Sequence, residues 1–265
     1  MRPKETLALA PFSTVTLLVT HYNRSKSLER LLESFKERNC TFGDVVVSDD
    51  GSKPEHIDYL QTLQQKYPFQ LIKTPVNKGL GNNINKGQDA VTTPYTLYVQ
   101  EDFIPTDLFK QRLTDALDFM EGDKGLDLVR FYAYVKYPYL RPLGKGFSEM
   151  ICRIWQSDYM KIYCYSDHPH LRRSNFFEKF GRYREGIKGD RTEYAMCVSF
   201  IQQKGRGLFY EDYQGLFDQR NSSDEPSTMT RSDWKQRDDF FIRTAKRAYR
   251  TLKYNYDILF MQARQ

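Results

Sequence analysis

The stretch TLYVQEDF, Thr96 to Phe103, is an apolar run that ends on Gln100, Glu101 and Asp102. Adjacent carboxylates repel, and burial favours them only if something positive lies between or beyond them. A divalent cation is one such partner; a plain strand-to-loop exit is the other reading. A second acidic pair, Asp49 and Asp50, closes the run VVVS. Thr20, His21, Tyr22, Asn23 and Arg24 follow a third apolar run, and Asn77, Lys78 and Gly79 follow a fourth. This set suits a nucleoside diphosphate with a divalent cation. An aspartate accepts from a base N–H or ribose hydroxyls, and a tyrosine stacks on the base. Lys78, Arg24 and backbone N–H groups meet phosphate charge, and Asp102 offers a hard cation its carboxylate oxygen. His21 and Asn23 fit equally well as turn residues that satisfy their own backbone.

The elements that must position these residues alternate along the first half of the chain. TVTLLVT (14–20), DVVVSDD (44–50), FQLIKT (69–74), YTLYV (95–99) and LDLVRFYAYV (126–135) read as strands. Between them, Leu28, Leu31, Leu32 and Phe35 recur at helical spacing behind a Ser25 or Ser27 cap. Pro54 opens a second helix, and Pro105 and Thr106 start another with Leu108, Leu113, Leu117 and Met120. Such alternation predicts an α/β fold, a Rossmann-like and mostly parallel sheet with helices on both faces. Its ligands bind at the carboxyl ends of the strands, where the polar sets fall. In the second half, RSNFFEKFGRY carries a helix that stops at Gly181, and DRTEYAMCVSFIQQKG forms one that stops at Gly205.

The chain has 265 residues, 40% hydrophobic and 28% charged, which is a globular composition with a sizeable core. Its net charge of +6 suits an anionic partner. Cys40, Cys152, Cys164 and Cys197 are scattered with no CxxC pair, so neither a zinc site nor a disulfide framework is expected. Reduced thiols in a cytoplasmic protein are the simplest reading. No run approaches the roughly 18 apolar residues of a bilayer span. The N-terminal LALAPF, broken by Pro11 and followed by VTLLVT, reads as the approach to a core strand rather than as a secretory leader.

LLVTHYNR, VVVSDDGS, NKGLGNNINKG and LYVQEDFIP, in this order and spacing, resemble the N-terminal half of an inverting family 2 glycosyltransferase of GT-A fold. The similarity is close over 14–110 and looser to about 215. It implies a nucleotide-sugar donor, with UDP-sugars favoured, and a divalent cation, Mn2+ or Mg2+. By that resemblance Thr20, Tyr22 and Arg24 touch the nucleotide. Asp49 and Asp50 match the acidic pair of which one, usually the second, reads the base, and Lys78 and Gly79 match the turn beside the nucleoside. Gln100, Glu101 and Asp102 fall on the family's DxD signature, whose last Asp binds the metal. Gln100 departs from it by replacing the first Asp, and Ile84 stands where many members carry Arg.

Inverting transfer needs a base beside the acceptor hydroxyl. In the family this is an acidic residue at the start of a later helix, about a dozen residues before a glycine. Counting back from Gly205 reaches Glu193, with Asp190 the runner-up. A helix N-cap at Asp190 and a capping-box carboxylate at Glu193 are the alternatives. Upstream, His168, His170, Arg172 and Arg173 form a cationic cluster that suits the leaving diphosphate or an anionic acceptor, and Trp155 offers a sugar-stacking face or a core side chain.

The domain reading is a GT-A domain over 1–220, with a nucleotide half (14–110) and an acceptor half (111–220). A linker and a basic amphipathic helix follow over 221–265. That helix suits either an anionic membrane surface or packing on the catalytic domain; the expected setting is cytoplasmic, and the first reading places it on the inner face of the membrane. The acceptor expected is a glycan or a lipid-linked glycan of surface polysaccharide biosynthesis. Nucleic acid is not expected, because acidic residues on the same rim would repel it. A sugar-phosphate nucleotidyltransferase is the competing enzyme, but THYNRS is not the glycine-rich basic loop it needs. A non-catalytic protein that binds an anionic ligand or a membrane is the competing binder.

Overall fold

The computed structural model describes residues 11–220, 225 and 240–264. Strands β1 (Phe12–His21), β2 (Phe42–Asp49), β3 (Gln70–Lys73) and β4 (Tyr95–Gln100) form the parallel half of one sheet. Helices α1 (Ser25–Glu37), α2 (Pro54–Lys66) and α3 (Leu80–Asp89) connect them. After the short β5 (Phe103–Pro105) and helix α4 (Phe109–Gly122) come β6 (Leu128–Arg130), β7 (Leu140–Gly144), β8 (Phe147–Met150), β9 (His170–Arg173) and β10 (Gly207–Tyr210). The sheet order is β3-β2-β1-β4-β9-β6-β10-β8-β7. β9 is antiparallel to both neighbours, so the half beyond β4 is mixed. Helices α5 (Phe176–Phe180) and α6 (Gly189–Gln202) follow β9, and β11 (Phe217–Gln219) pairs with β5 apart from the main sheet. Helix α7 (Phe240–Phe260) comes last.

Both faces of the sheet are covered. In β1, Leu17 and Val19 join a core with Leu28, Leu31 and Phe35 of α1 and Leu113 of α4. Leu18 between them faces a second core with Ile84 of α3, Phe176 of α5 and Phe200 of α6. The period of two in a strand sends alternate residues to opposite layers, and a sheet buried on both sides needs apolar residues at every position. Ile84 is fully buried, so the position where the family often carries Arg here supplies packing.

Several helix ends differ from the sequence expectation; α4 begins at Phe109, because Pro105 closes β5. Neither Ser25 nor Ser27 caps α1, whose N-cap position is Arg24 with no side-chain bond. Instead the Glu225 carboxylate accepts from Lys26 N at 2.9 Å, Ser27 N at 2.8 Å and Ser27 Oγ at 2.6 Å. At the end of α6 the left-handed residue is Lys204 (φ 54°), not Gly205, although Gly205 N still closes onto Phe200 O at 2.7 Å.

Candidate active site

The carboxyl ends of β1, β2 and β4 lie side by side, with Thr20 in register with Gln100 and His21 with Asp49. The acidic pair after β2 is tied down. Asp49 is fully buried; its Oδ1 meets His21 Nδ1 at 2.8 Å and Ser52 Oγ at 2.5 Å, and its Oδ2 accepts from Gly51 N and Ser52 N. Burial would raise its pKa, but the His21 and Ser52 hydrogen bonds outweigh that and hold it below the usual range. Asp49 therefore builds the turn and has no face for a base, a correction to the expected role. Gly51 makes the turn possible, with φ at +71° and Val76 backbone 2.4 Å from where a Cβ would stand. Asn23 locks the same turn, accepting from Lys53 N and donating its own N–H to Ser52 Oγ, both at 2.8 Å. Asp50 reaches the nucleoside-side turn, accepting from Lys78 N at 2.9 Å and Gly79 N at 2.8 Å.

At the end of β4 the pair is asymmetric. One guanidinium nitrogen of Arg24 lies 3.5 Å from Glu101 Oε1 and 3.5 Å from Asp102 Oδ2. Burial, then the Asp102 charge, pushes the Glu101 carboxyl up to about 8. Asp102 is held from the far side of the chain: Gln219 Nε2 donates to its Oδ2 at 2.9 Å, and Arg220 N donates to its carbonyl at 2.8 Å. Tyr134 OH in turn donates to Gln219 Oε1 at 2.8 Å. Asp102 Oδ1 is buried with no hydrogen-bond partner among the described residues. A buried, unpaired carboxylate oxygen is costly unless a cation meets it, so this donor fits a divalent ion. Among the described residues no group of three or more His, Cys, Asp or Glu surrounds a common point. A cation here would draw its other ligands from a bound diphosphate and water. Thr20 sits beneath the rim, its Oγ1 3.0 Å from Tyr98 OH, while Tyr22 and Gln100 are half-buried and Lys78 is exposed.

The acceptor-side residues divide. His168 is half-buried in an aromatic cage, its ring centroid 4.6 Å from Tyr134, 5.6 Å from Tyr132 and 6.2 Å from Phe103, and its Nδ1 is 2.7 Å from Ser166 Oγ. Phe103 and Tyr134 thus join His168 to the Asp102 neighbourhood. His170 and Arg172 correct the expectation of a cationic cluster, for both are fully buried in β9. Arg172 donates to Gln88 Oε1 at 2.7 Å and to Tyr183 OH at 3.4 Å, and its guanidinium lies 5.2–5.9 Å from the rings of Tyr98, Phe176 and Phe177. Burial and the Arg172 charge drive His170 well below its usual pKa, so it is neutral. Trp155 is 79% exposed on a loop and packs in no core.

Glu193, on α6, is half-buried and accepts Asp167 N at 3.0 Å through Oε1, so it forms no capping box. Asp190 is exposed in the first turn and caps nothing, since the helix starts at Gly189 behind Lys188. Asp167, adjacent to His168, is a residue the sequence reading missed. Its carboxyl takes the hydroxyls of Tyr165 at 3.2 Å and Tyr183 at 3.0 Å. Burial, then the Glu193 charge, pushes it up to about 8. Lys86 is a second missed residue, donating to the Asp49 carbonyl and, at 3.1 Å, to Thr74 Oγ1.

The large central sheet with helices on both faces is an α/β architecture of GT-A type. The sequence profile of glycosyl transferase family 2 matches residues 16–181, and the chain belongs to that family. A comparison with curated protein sequences finds no significant match. Among solved structures, S. aureus TarS 1-349 in complex with UDP-GlcNAc aligns at TM-score 0.59 and 17% identity over 82% of this chain and 62% of that one. TarS 1-349 alone gives 0.59 and 17% over 77% and 59%. The mannosyltransferase PcManGT from Pyrobaculum calidifontis, in complex with GDP-Man and Mn2+, gives 0.55 and 15% over 79% and 59%. The chain thus spans about three-fifths of the length of these structures, and at such identities the likeness is one of fold.

Proposed function

We propose that the protein is an inverting glycosyltransferase that moves a sugar from a nucleotide-sugar, with a UDP-sugar favoured, to a glycan or lipid-linked acceptor in surface polysaccharide biosynthesis. The observation that carries the reading is the end of β4, where Asp102 faces Arg24 through Oδ2 and keeps a buried Oδ1 with no hydrogen-bond partner among the described residues, in a family 2 chain. The UDP-GlcNAc and GDP-Man complexes of the structural neighbours support a nucleotide-sugar donor, and the Mn2+ of one supports a divalent cation.

In this reading Asp102 holds Mn2+ or Mg2+, which when bound offsets the charge of the departing diphosphate. Asp50 fixes the Lys78–Gly79 turn against the nucleoside, Tyr22 stacks on the base, and Gln100 with Thr20 lines the ribose side. Arg24, drawn between Glu101 and Asp102 in the free protein, turns to the diphosphate when the donor enters. His168 stands on the leaving-group side. Glu193, steadied through Oε1 by Asp167 N, takes the acceptor hydroxyl proton on Oε2. The acceptor oxygen then bonds to the anomeric carbon as the bond from that carbon to phosphate oxygen breaks, and the nucleoside diphosphate leaves. Asp190 is the runner-up as base. Residues 1–220 form the catalytic domain and 221–265 a linker and tail, working in the cytoplasm at the inner face of the membrane.

Calorimetric titration with UDP, with and without Mn2+, tests the donor site. We expect metal-dependent binding that Asp102→Ala removes; binding indifferent to both would reject the assignment. A nucleotide-sugar screen scored by hydrolysis then identifies the donor. With an acceptor present, transfer that survives Glu193→Gln would reject that residue as the base.

A further inference from the structure

Helix α7 has two apolar faces, and the fold uses one. Ile258 is buried, Tyr254 lies 5.2 Å from the Tyr194 ring, Tyr194 OH donates to Asp257 at 2.5 Å, and Gln202 Nε2 reaches Ile258 O and Met261 O. The other face carries Tyr249, Leu252, Tyr256, Leu259 and Phe260, exposed by 66, 72, 63, 59 and 67%. Spacings of three and four residues place them on one stripe. Lys246, Arg250 and Lys253 run along one border of that stripe, by the same helical geometry.

The other border carries a second apolar group. Lys161 Nζ donates to Asn255 Oδ1 at 2.5 Å and to Gln156 O at 2.8 Å, and it also donates to Ile154 O. Asn255 is one turn from both Leu252 and Leu259. The lysine therefore staples the loop that carries Trp155, itself 79% exposed, beside the stripe. An exposed tryptophan next to an apolar, basic-bordered helix face is the pattern of an interfacial anchor.

The charge pattern selects the occupant. α7 holds five basic residues and a single acid, Asp257, which is engaged by Tyr194 and Lys253. A second copy packed antiparallel on this face would bring the two basic borders together. An anionic lipid surface would attract them. We infer that the open face of α7, with Trp155, docks the protein on an anionic phospholipid bilayer, the stripe lying at the headgroup–acyl boundary. This deepens the peripheral-membrane part of the reading above and rests on it. α7 packs on α6, the helix that carries Glu193, so a docked bilayer would lie one helix layer from that residue.

The test is sedimentation of the full chain with vesicles of phosphatidylcholine alone and of phosphatidylcholine containing about one-third phosphatidylglycerol, with UDP titration in parallel. We expect binding to the anionic vesicles that weakens with salt, and little binding to the neutral ones. Leu252→Glu with Leu259→Glu should weaken it roughly tenfold, and Trp155→Ala by less, with UDP affinity unchanged. No binding to anionic vesicles, equal binding to both kinds, or binding indifferent to the paired glutamates would overturn the inference. So would a dimer by light scattering that the paired glutamates dissociate, with no vesicle binding. Loss of UDP binding with vesicle binding intact would strike the donor site alone.

Discussion

Replacing Glu225 tests whether the chain beyond Arg220 returns to the donor side. Its carboxylate, 5% exposed, meets two backbone N–H groups in the first turn of α1 and one hydroxyl. Burial would raise its pKa, but the bonds from Ser27 and Lys26 outweigh that and hold it below its ordinary value. A helix cap contributes about 0.5–2 kcal/mol, and a negative charge on a helix N-terminus about 0.3–1 kcal/mol, more when partly buried. Glu225→Ala loses both, about 2–3 kcal/mol. Glu225→Gln keeps acceptor geometry and loses the charge, about 1 kcal/mol. In a chain of this size, 1 kcal/mol moves Tm by about 2–4 °C, so the alanine variant should melt roughly 5–10 °C lower at pH 7. The pH dependence follows in sign. A depressed folded pKa stabilises above the unfolded value near 4.5 and is lost as pH falls through the folded one. The gap between the parent and Glu225→Gln should therefore close on acidification below about pH 4. Melting followed by circular dichroism at pH 7 and pH 3.5 decides it. An alanine variant within about 0.5 kcal/mol of the parent at pH 7 would refute the contact.

Arg172→Ala should cost about 3 kcal/mol or more, because it opens a cavity among Tyr98, Phe176 and Phe177 and strips Gln88 of its donor; UDP affinity of the folded variant should not change. A melt and a titration check this, and a specific loss of UDP affinity would return Arg172 to the site. Asp167 binds its proton more tightly folded than unfolded, so stability should fall as pH rises from its ordinary 3.8 to about 8. Asp167→Asn should flatten that fall, leaving the variant relatively more stable at pH 8 than at pH 5 by Tm. Gly51→Ala should destabilise by about 2 kcal/mol or more, since it combines a positive φ with a backbone clash and disturbs the turn that holds Asp49; an unchanged Tm would contradict that.

The nucleotide half was legible because its signals are local. Apolar runs bounded by helical periodicity predicted the β1–β4 alternation, and the rule that ligands meet strand carboxyl ends gathered Arg24, Asp50 and Asp102 on one rim. Cap and strand-edge partners were not legible, because their donors lie far off in sequence. Glu225 reaches α1 across 198 residues, and Gln219 reaches Asp102 across 117. No local pattern in either stretch marks the partner.

β9 shows the same limit in reverse. HPHLRR reads as an exposed cationic cluster, since alternating polar residues normally mark a solvent face. β9, however, inserts antiparallel between β4 and β6 in a sheet covered on both sides. Leu171 faces one core, and His170 and Arg172 face the other, with no solvent to receive them. Arg172 meets aromatic faces, the Gln88 amide and the Tyr183 phenol instead, and His170 bonds the His168 carbonyl through Nδ1. The sequence by itself determined which residues end the strands and hence where a nucleotide could bind. Only the tertiary structure decided which of those polar groups stay open on the rim and which are consumed in holding it together, because that depends on what packs against each face of each strand.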